Sequence, residues 1–168
     1  MGHWRPGPNP TADMVLLRIH PTGRADVLLI RRSEQSNAHP GRWAVPGGFV
    51  ETASPKGVAW APGTETPHAA VLRELREETG IDVSALAPCV REIEVRERIG
   101  RDPRDDEQSW TRTHVFLLVA RADEVAADPV GGDDAGEARW VPLAEALAMD
   151  LAFDHSDMLR VATARVGL

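Results

Sequence analysis

Glu74, Glu77 and Glu78 stand within five positions of one another in the run LRELREETGI, residues 72–81. Like charges repel, so carboxylates crowded this closely call for something positive among them. On a helix, positions i, i+3 and i+4 share a face, and the three side chains then project together. Two chemistries suit that arrangement. One is a solvated acidic face, with Arg73 pairing Glu77 at i,i+4 and Arg76 nearby. The other is a site for a hard divalent cation: Mg²⁺ takes oxygen ligands in an octahedron and keeps several waters. Three carboxylates on one helical face can supply direct and water-bridged ligands without a closed cage.

The surrounding residues must build that helix and aim it. Thr66 is placed to N-cap it, and Pro67 suits the first helical position, where its missing N–H would have no partner. His68 to Thr79 are mostly good helix formers, Val71, Leu72 and Leu75 make an apolar stripe, and Gly80 is a natural stop. Glu65 precedes the cap, where a carboxylate interacts well with the helix dipole. Upstream, MVLLRI (14–19) and VLLIRR (27–32) read as a hairpin across the turn HPTGRAD, and RWAVPGGFVE (42–51) as a short strand, a Pro-Gly-Gly turn and a second short strand. The stretch 52–65 has several breakers and reads as a loop. Downstream, PCVREIEVRER and TRTHVFLLVARA read as longer strands joined by the charged loop IGRDPRDDEQSW; EARWVPL is a short final strand. LAEALAMD and FDHSDMLRVATARV read as terminal helices, with Asp154 or Ser156 as cap of the second. Residues 1–11, rich in Gly, Pro and Asn, are expected to form a flexible N-terminal arm, and 12–168 a single α+β domain with a mixed sheet.

Composition narrows the partners. The formal net charge is −7, which argues against non-specific nucleic-acid binding and against docking on anionic lipid. No apolar run approaches the ~18 residues of a membrane span. Cys89 is the only cysteine, so no intrachain disulfide forms, and a reducing cytoplasm is the expected setting. An acidic protein that handles a phosphorylated ligand needs local positive charge, from a metal or from placed arginines.

GGFVE (47–51) followed by GTETPHAAVLRELREETGI (63–81) resembles the Nudix box. That pattern runs Gly, five residues, Glu, seven residues, then Arg-Glu-apolar-any-Glu-Glu-any-Gly-apolar. The second half fits without a gap, from Glu65 through Arg73, Glu74, Leu75, Glu77, Glu78, Gly80 and Ile81. In the first half, residues 49–64 separate Gly48 from Glu65, so an insertion at about 52–62 is inferred. A longer loop is thermodynamically tolerable, since each doubling of length costs only about 0.6 kcal/mol. Trp60 in that insertion is expected to pin the loop down, with packing over the site or at a dimer interface as the alternatives.

The resemblance implies a Nudix-type α/β/α sandwich that hydrolyses a nucleoside diphosphate linked to another moiety, with Mg²⁺ or Mn²⁺ as cofactor. Carried over residue by residue, it makes Glu74, Glu77 and Glu78 metal ligands, Glu77 directly or through water, with a backbone carbonyl at Gly47 or Gly48 as a further ligand. Arg73 would orient the glutamates, and Glu65 would brace the loop. The general base of such enzymes often lies on a later loop. The acidic turn GGDDAGEARW points to Asp134, with Asp133 and Glu137 behind it and Glu107 as a rival; a solvated turn is the alternative.

RWAVPGGFVE, RDPRDDEQSWTRTHVFLLVA and GGDDAGEARWVPLAEALAMDLAFDHSDML further resemble ADP-ribose pyrophosphatases, of the mitochondrial type and of a related ADP-ribose-gated channel domain. That likeness implies ADP-ribose as substrate, giving AMP and ribose 5-phosphate, and a homodimer as the common assembly. Arg101 and Arg104 are candidates for phosphate or ribose contacts, since guanidinium pairs well with phosphoryl oxygens; pairing with Asp102, Asp105 and Asp106 is their alternative. Phe49 or Trp110 would stack on adenine, and of Arg31 and Arg32, which end a strand, one is a further candidate substrate contact, Arg32 first. Trp43, Trp140 and Phe116 are expected in the core. His39, His114 and His155 lack paired ligand spacing and are read as structural, not zinc ligands. Competing readings are a Nudix hydrolase of a nucleoside triphosphate or dinucleotide, and a non-catalytic ADP-ribose sensor.

Overall fold

The protein is described from a computed structural model covering residues 5–63, 65–132 and 135–168. Its framework is a mixed sheet built on two long strands, β1 (Gly7–Ile19) and β6 (Ser109–Arg121), which run parallel over their whole length from Gly7 opposite Ser109 to Ile19 opposite Arg121. Outward from β1 come β2 (Ala25–Arg32) and β3 (Trp43–Ala44), both antiparallel to their neighbours, and beyond β6 lies β5 (Arg91–Glu97). Two strands lie off this path: β4 (Gly47–Phe49) pairs with β1, and β7 (Ala135–Pro142) pairs with β2.

Side chains alternate across β1, and the alternation makes two cores. Ala12, Met14 and Leu16 meet Ala70, Val71 and Leu75 of helix α1 (Pro67–Thr79) on one face. Val15 and Leu17 meet Met158, Leu159 and Ala162 of helix α3 (His155–Val166), together with the short helix α2 (Leu143–Ala146), on the other. The layers are helix, sheet, helix, as the expected sandwich requires.

Helix α1 is fixed at both ends. Thr66 Oγ1 accepts from Ala69 N–H at 3.1 Å, Pro67 opens the helix, and Gly80 closes it at φ 69° with its N–H on the Arg76 carbonyl. The last turn carries Glu77 and Glu78, and Glu78 reaches β4 at the Gly47 N–H.

Some expectations about elements are corrected. Residues 7–11 are not part of an arm; they form the first third of β1. Gly7 N–H and the buried Asn9 amide tie this segment to the Gln108–Ser109 end of β6, while Pro10 serves β4 through its carbonyl, which accepts from Val50 N–H. Prolines are therefore accommodated where the ladder needs acceptors and not donors. A 3₁₀ turn at Ser84–Cys89 had no clear signal, and α2 stops after one turn instead of continuing to 150. Asp154 occupies the N-cap position of α3 but makes no capping bond; its carboxylate goes to arginines instead. Phe116 is buried as expected, whereas Trp43 and Trp140 are half-buried, each with an arginine over its ring, Arg139 and Arg18. In the inserted loop, Trp60 packs on the α1-side core and its indole N–H reaches the Val50 carbonyl at 3.5 Å, so it pins the loop. Among the described residues no helix is long and apolar enough to cross a membrane.

Candidate active site

The pairing of β4 with β1 places Gly48 opposite Ala12 and Gly47 opposite Asp13, directly under the carboxylates of α1. Glycine gives this approach its room: at Gly47 a side chain would strike the Ala12 backbone carbonyl, and at Gly48 it would displace the Glu74 carboxylate. A Cβ on Gly48 would lie 2.4 Å from Glu74 Oε1, and one on Gly47 would lie 2.3 Å from Asp13 Oδ1. Gly47 N–H donates to Glu78 Oε2 at 2.9 Å. Arg73 is the strap of the site: its guanidinium reaches Glu65 (2.8 Å), Glu74 (2.8 Å), Glu77 (3.0 Å) and the Phe49 carbonyl (3.0 Å). Glu65 also accepts from Glu51 N–H at 2.7 Å, which fastens the far end of the inserted loop to the helix start.

The electrostatics follow from this burial. Glu78 is 7% exposed, and burial pushes its carboxyl up to about 8 against the favourable Gly47 N–H, with the charges of Glu74 and Asp13 adding to the push. Burial likewise raises Glu74, although Arg73 works the other way. Two sequestered carboxylates, both raised by burial and crowded by further carboxylates, are a donor set short of positive charge, and an all-oxygen set suits Mg²⁺ or Mn²⁺. Among the described residues no three acidic, His or Cys side chains converge as a finished cage. Glu74 and Glu77 are engaged by Arg73 and Glu78 by Gly47, so the fit is to an ion that keeps waters, not to a closed structural site.

These carboxylates line a cavity of about 300 Å³ whose other walls carry Arg32, Arg101, Arg104, Phe49, Thr11, Thr113, Phe153 and His155. Arg104 forms a two-pronged pair with the buried Asp102, at 2.9 and 2.6 Å. Arg32 donates from Nε to the Ala38 carbonyl, and burial together with the nearby Arg104 charge lowers its pKa. The Arg101 side chain is 6% exposed; it pairs with Asp154 at 2.6 Å and donates to Thr113 and Thr111. It therefore shapes the wall more than it reaches into the space. His155 Nδ1 accepts from Val45 N–H at 3.1 Å, which puts its proton on Nε2, 3.5 Å from Asp13 Oδ2. That bond makes it a brace of the cavity floor, in keeping with a structural histidine.

One cavity thus gathers Gly48, Glu74, Glu77, Glu78, Arg73, Arg32, Phe49, Arg101 and Arg104 from the expected set. Trp110 is the departure. Thr111 and Thr113 line the cavity from β6, so by strand alternation Trp110 faces away, and its indole N–H is held by Glu97 at 2.9 Å. Asp134 and Asp133 lie outside the described residues. The segment leading to them is anchored on α1: Val130 N–H donates to the Thr79 carbonyl at 2.9 Å and Gly132 N–H to the Glu78 carbonyl at 3.1 Å. Glu107 is exposed and does not line the cavity. Asp13 and Phe153 were missed, because each comes from a remote part of the chain and belongs to no local motif; Asp102 was expected only as a partner for the loop arginines, which it is for Arg104, and His155 only as a structural residue.

Residues 8–162 match the NUDIX domain family. The chain is 31% identical over 161 residues to the ADPR responsive transcriptional repressor NtrR of Acinetobacter baylyi, covering 96% of this chain and 55% of that protein. It thus spans about half the length of this relative. It is 33% identical over 153 residues to an ADP-ribose pyrophosphatase of Methanocaldococcus jannaschii, covering 86% of this chain and 74% of the relative. Among solved structures, the NUDIX domain of Shewanella oneidensis NrtR in complex with ADP-ribose superposes with a TM-score of 0.74 at 26% identity, covering 95% of this chain and 89% of that one. The strapped glutamate helix, the sandwich that presents it and the family match along nearly the whole chain agree, and the chain belongs to the Nudix family.

Proposed function

We propose that the chain hydrolyses ADP-ribose, with water, to AMP and ribose 5-phosphate in a divalent-metal-dependent reaction. One observation carries this reading: a single cavity holds the buried carboxylates of α1 together with the guanidinium groups of Arg32 and Arg104. A pyrophosphate linkage needs both, cations held by carboxylates and arginines for the remaining phosphoryl oxygens. The M. jannaschii pyrophosphatase and the ADP-ribose-bound NUDIX domain support the choice of ADP-ribose.

Glu74 and Glu78 would hold the metal, with Glu77 acting through water and the Gly48 carbonyl as a further oxygen. Bound there, a divalent ion polarises phosphoryl oxygens and lowers the pKa of a water molecule. Arg73 keeps Glu74 and Glu77 in place and does not need to touch substrate. Arg32 and Arg104 take the phosphate charge, and Phe49 offers a ring face to the base. Asp134 is the proposed acceptor of the proton from the attacking water; what supports it is that Val130 and Gly132, a few residues earlier in the chain, donate to the Thr79 and Glu78 carbonyls of α1. The water oxygen joins phosphorus, the anhydride P–O bond breaks, and the products separate as two phosphate monoesters.

The test is incubation of the purified chain with ADP-ribose and Mg²⁺, beside a panel of nucleoside triphosphates and dinucleotides. AMP and ribose 5-phosphate should appear and should vanish with EDTA. Intact ADP-ribose beside a cleaved triphosphate would refute the substrate. A second reading, a domain that binds ADP-ribose to regulate, is favoured by the A. baylyi repressor. Tight ADP-ribose binding without turnover in Mg²⁺ or Mn²⁺ would select it. The complete set Arg73, Glu74, Glu77 and Glu78 favours turnover.

A further inference from the structure

Phe153 has a backbone that its side chain does not explain. Its φ is 53°, in the left-handed region that non-glycine residues seldom occupy. Such a conformation costs on the order of 1 kcal/mol and persists where surrounding structure enforces it. His39, at φ 48°, is the other non-glycine residue with positive φ among the described residues, and the two rings meet edge to face with centroids 4.7 Å apart. His155 lies on another side, 5.2 Å away between centroids. The ring held this way lines the cavity. Two guanidinium groups approach it: Arg32 Cζ at 5.0 Å from the centroid and Arg104 Cζ at 6.0 Å, Arg104 being shared with the Phe49 ring at 5.8 Å.

Bringing two cations together in a partly buried wall is unfavourable: burial first and the Arg104 charge second both work against the charged form of Arg32. An aromatic face offsets part of that cost, because the ring quadrupole attracts a cation within about 6 Å. Asp102 neutralises Arg104 from behind, and the Ala38 carbonyl orients Arg32. We propose that Phe153 is a positioning residue: its ring holds Arg32 and Arg104 side by side as a paired receptor for the phosphate oxygens of the substrate. This deepens the pyrophosphatase reading and rests on it for the identity of the substrate, but the receptor itself needs only a pyrophosphate group.

The left-handed backbone supplies a clean test. Glycine adopts this φ without strain, so Phe153→Gly removes the ring and keeps the chain path. Phe153→Leu keeps bulk without a π face, and Phe153→Tyr keeps the face. Two readouts are taken on folded protein of matched melting behaviour: KM and kcat for ADP-ribose, and calorimetric binding of inorganic pyrophosphate in Mg²⁺. Phe153→Gly and Phe153→Leu should each raise KM and weaken pyrophosphate binding about tenfold, with kcat changed no more than about twofold, and Phe153→Tyr should restore both. Unchanged binding in the Gly and Leu variants, or equal losses in all three, would overturn the assignment. Ring-dependent pyrophosphate binding by a chain that leaves ADP-ribose intact would sustain it while refuting the proposed substrate. Normal ADP-ribose turnover with a ring-independent KM would do the reverse.

Discussion

Arg101 Nη1 lies 2.6 Å from Asp154 Oδ1, and this pair joins the loop after β5 to the first turn of α3. Arg96 of β5 holds the other oxygen of the same carboxylate at 3.0 Å. Asp154 immediately follows Phe153, so one short segment places a ring in the cavity and a carboxylate on the arginine wall beside it. The cap position of α3 is thereby given up to anchoring: Asp154 spends its oxygens on Arg96 and Arg101 and caps nothing.

Asp154→Ala should therefore act on stability and on the cavity together. Removing one partner of a largely buried pair leaves Arg101 without its counter-charge, and the expected loss is about 3 kcal/mol. A denaturation midpoint measured by circular dichroism checks the first effect. A raised KM for ADP-ribose at temperatures where the variant is still folded checks the second. A midpoint unchanged from wild type would mean that water replaces the carboxylate at little cost.

The same carboxylate sets an acid limit. Burial works against its charge, but Arg101 and Arg96 outweigh that and hold its pKa below the ordinary value of 3.8. A group depressed in the folded state contributes stability above its unfolded pKa, and the contribution is lost as pH falls through the folded value. Glu65 behaves likewise, lowered by its hydrogen bonds from Arg73 against burial. Melting temperature should fall steeply as pH drops from about 5 to about 2. Asp154→Asn should flatten that fall, since the variant has nothing to protonate there. An equally steep fall in Asp154→Asn would assign the acid sensitivity to other groups.

What the sequence revealed was local. Helix α1 could be read to the residue because Thr66, Pro67 and Gly80 are signals written in adjacent positions, and the glutamate face follows from helical spacing alone. Gly48 and the arginines were identifiable as types in suggestive loops. The cavity floor was not. Asp13 directly precedes the apolar run of β1, His155 opens a terminal helix, and Phe153 looks like one more apolar residue; only the β1–β4 pairing and the turn into α3 bring them together. Trp110 was misplaced for a simpler reason. Its neighbours Thr111 and Thr113 share a strand face, and a two-residue period puts the indole on the opposite one. The start of β1 was obscured by Pro8 and Pro10, which look like breakers until the parallel partner shows which edge needs N–H groups.

Gly48→Ala tests the closeness of sheet and helix. The new methyl carbon would stand 2.4 Å from Glu74 Oε1, so either the carboxylate or β4 has to move. A displacement of about 1 Å in such a site is enough for a roughly hundredfold loss of rate. The fold should survive, because Gly48 does not need a positive φ and the carboxylate end of Glu74 can swing. A steady-state assay in Mg²⁺ beside a thermal melt checks both parts. Turnover within a few fold of wild type would show that Glu74 can serve from another position.

Glu78→Gln separates the needs of folding from those of chemistry. Gln keeps the volume and can still accept the Gly47 N–H, so the packing of the α1 terminus is preserved. It removes a carboxyl that is 7% exposed and that burial, with Glu74 and Asp13, pushes up to about 8, so that above its unfolded pKa folding costs either proton uptake or a crowded buried charge. In EDTA the variant should therefore melt at a higher temperature than wild type. In Mg²⁺ the order should narrow or reverse, because binding to the native state stabilises only the protein that still has the ligand. Turnover should drop by orders of magnitude, since a neutral amide oxygen is a poor substitute for a carboxylate at a hard cation. Parallel melts in EDTA and Mg²⁺, with rates on the same samples, decide the matter. If Mg²⁺ stabilises the Gln variant as much as wild type, or turnover survives, Glu78 is a structural carboxylate and the metal is held elsewhere on α1.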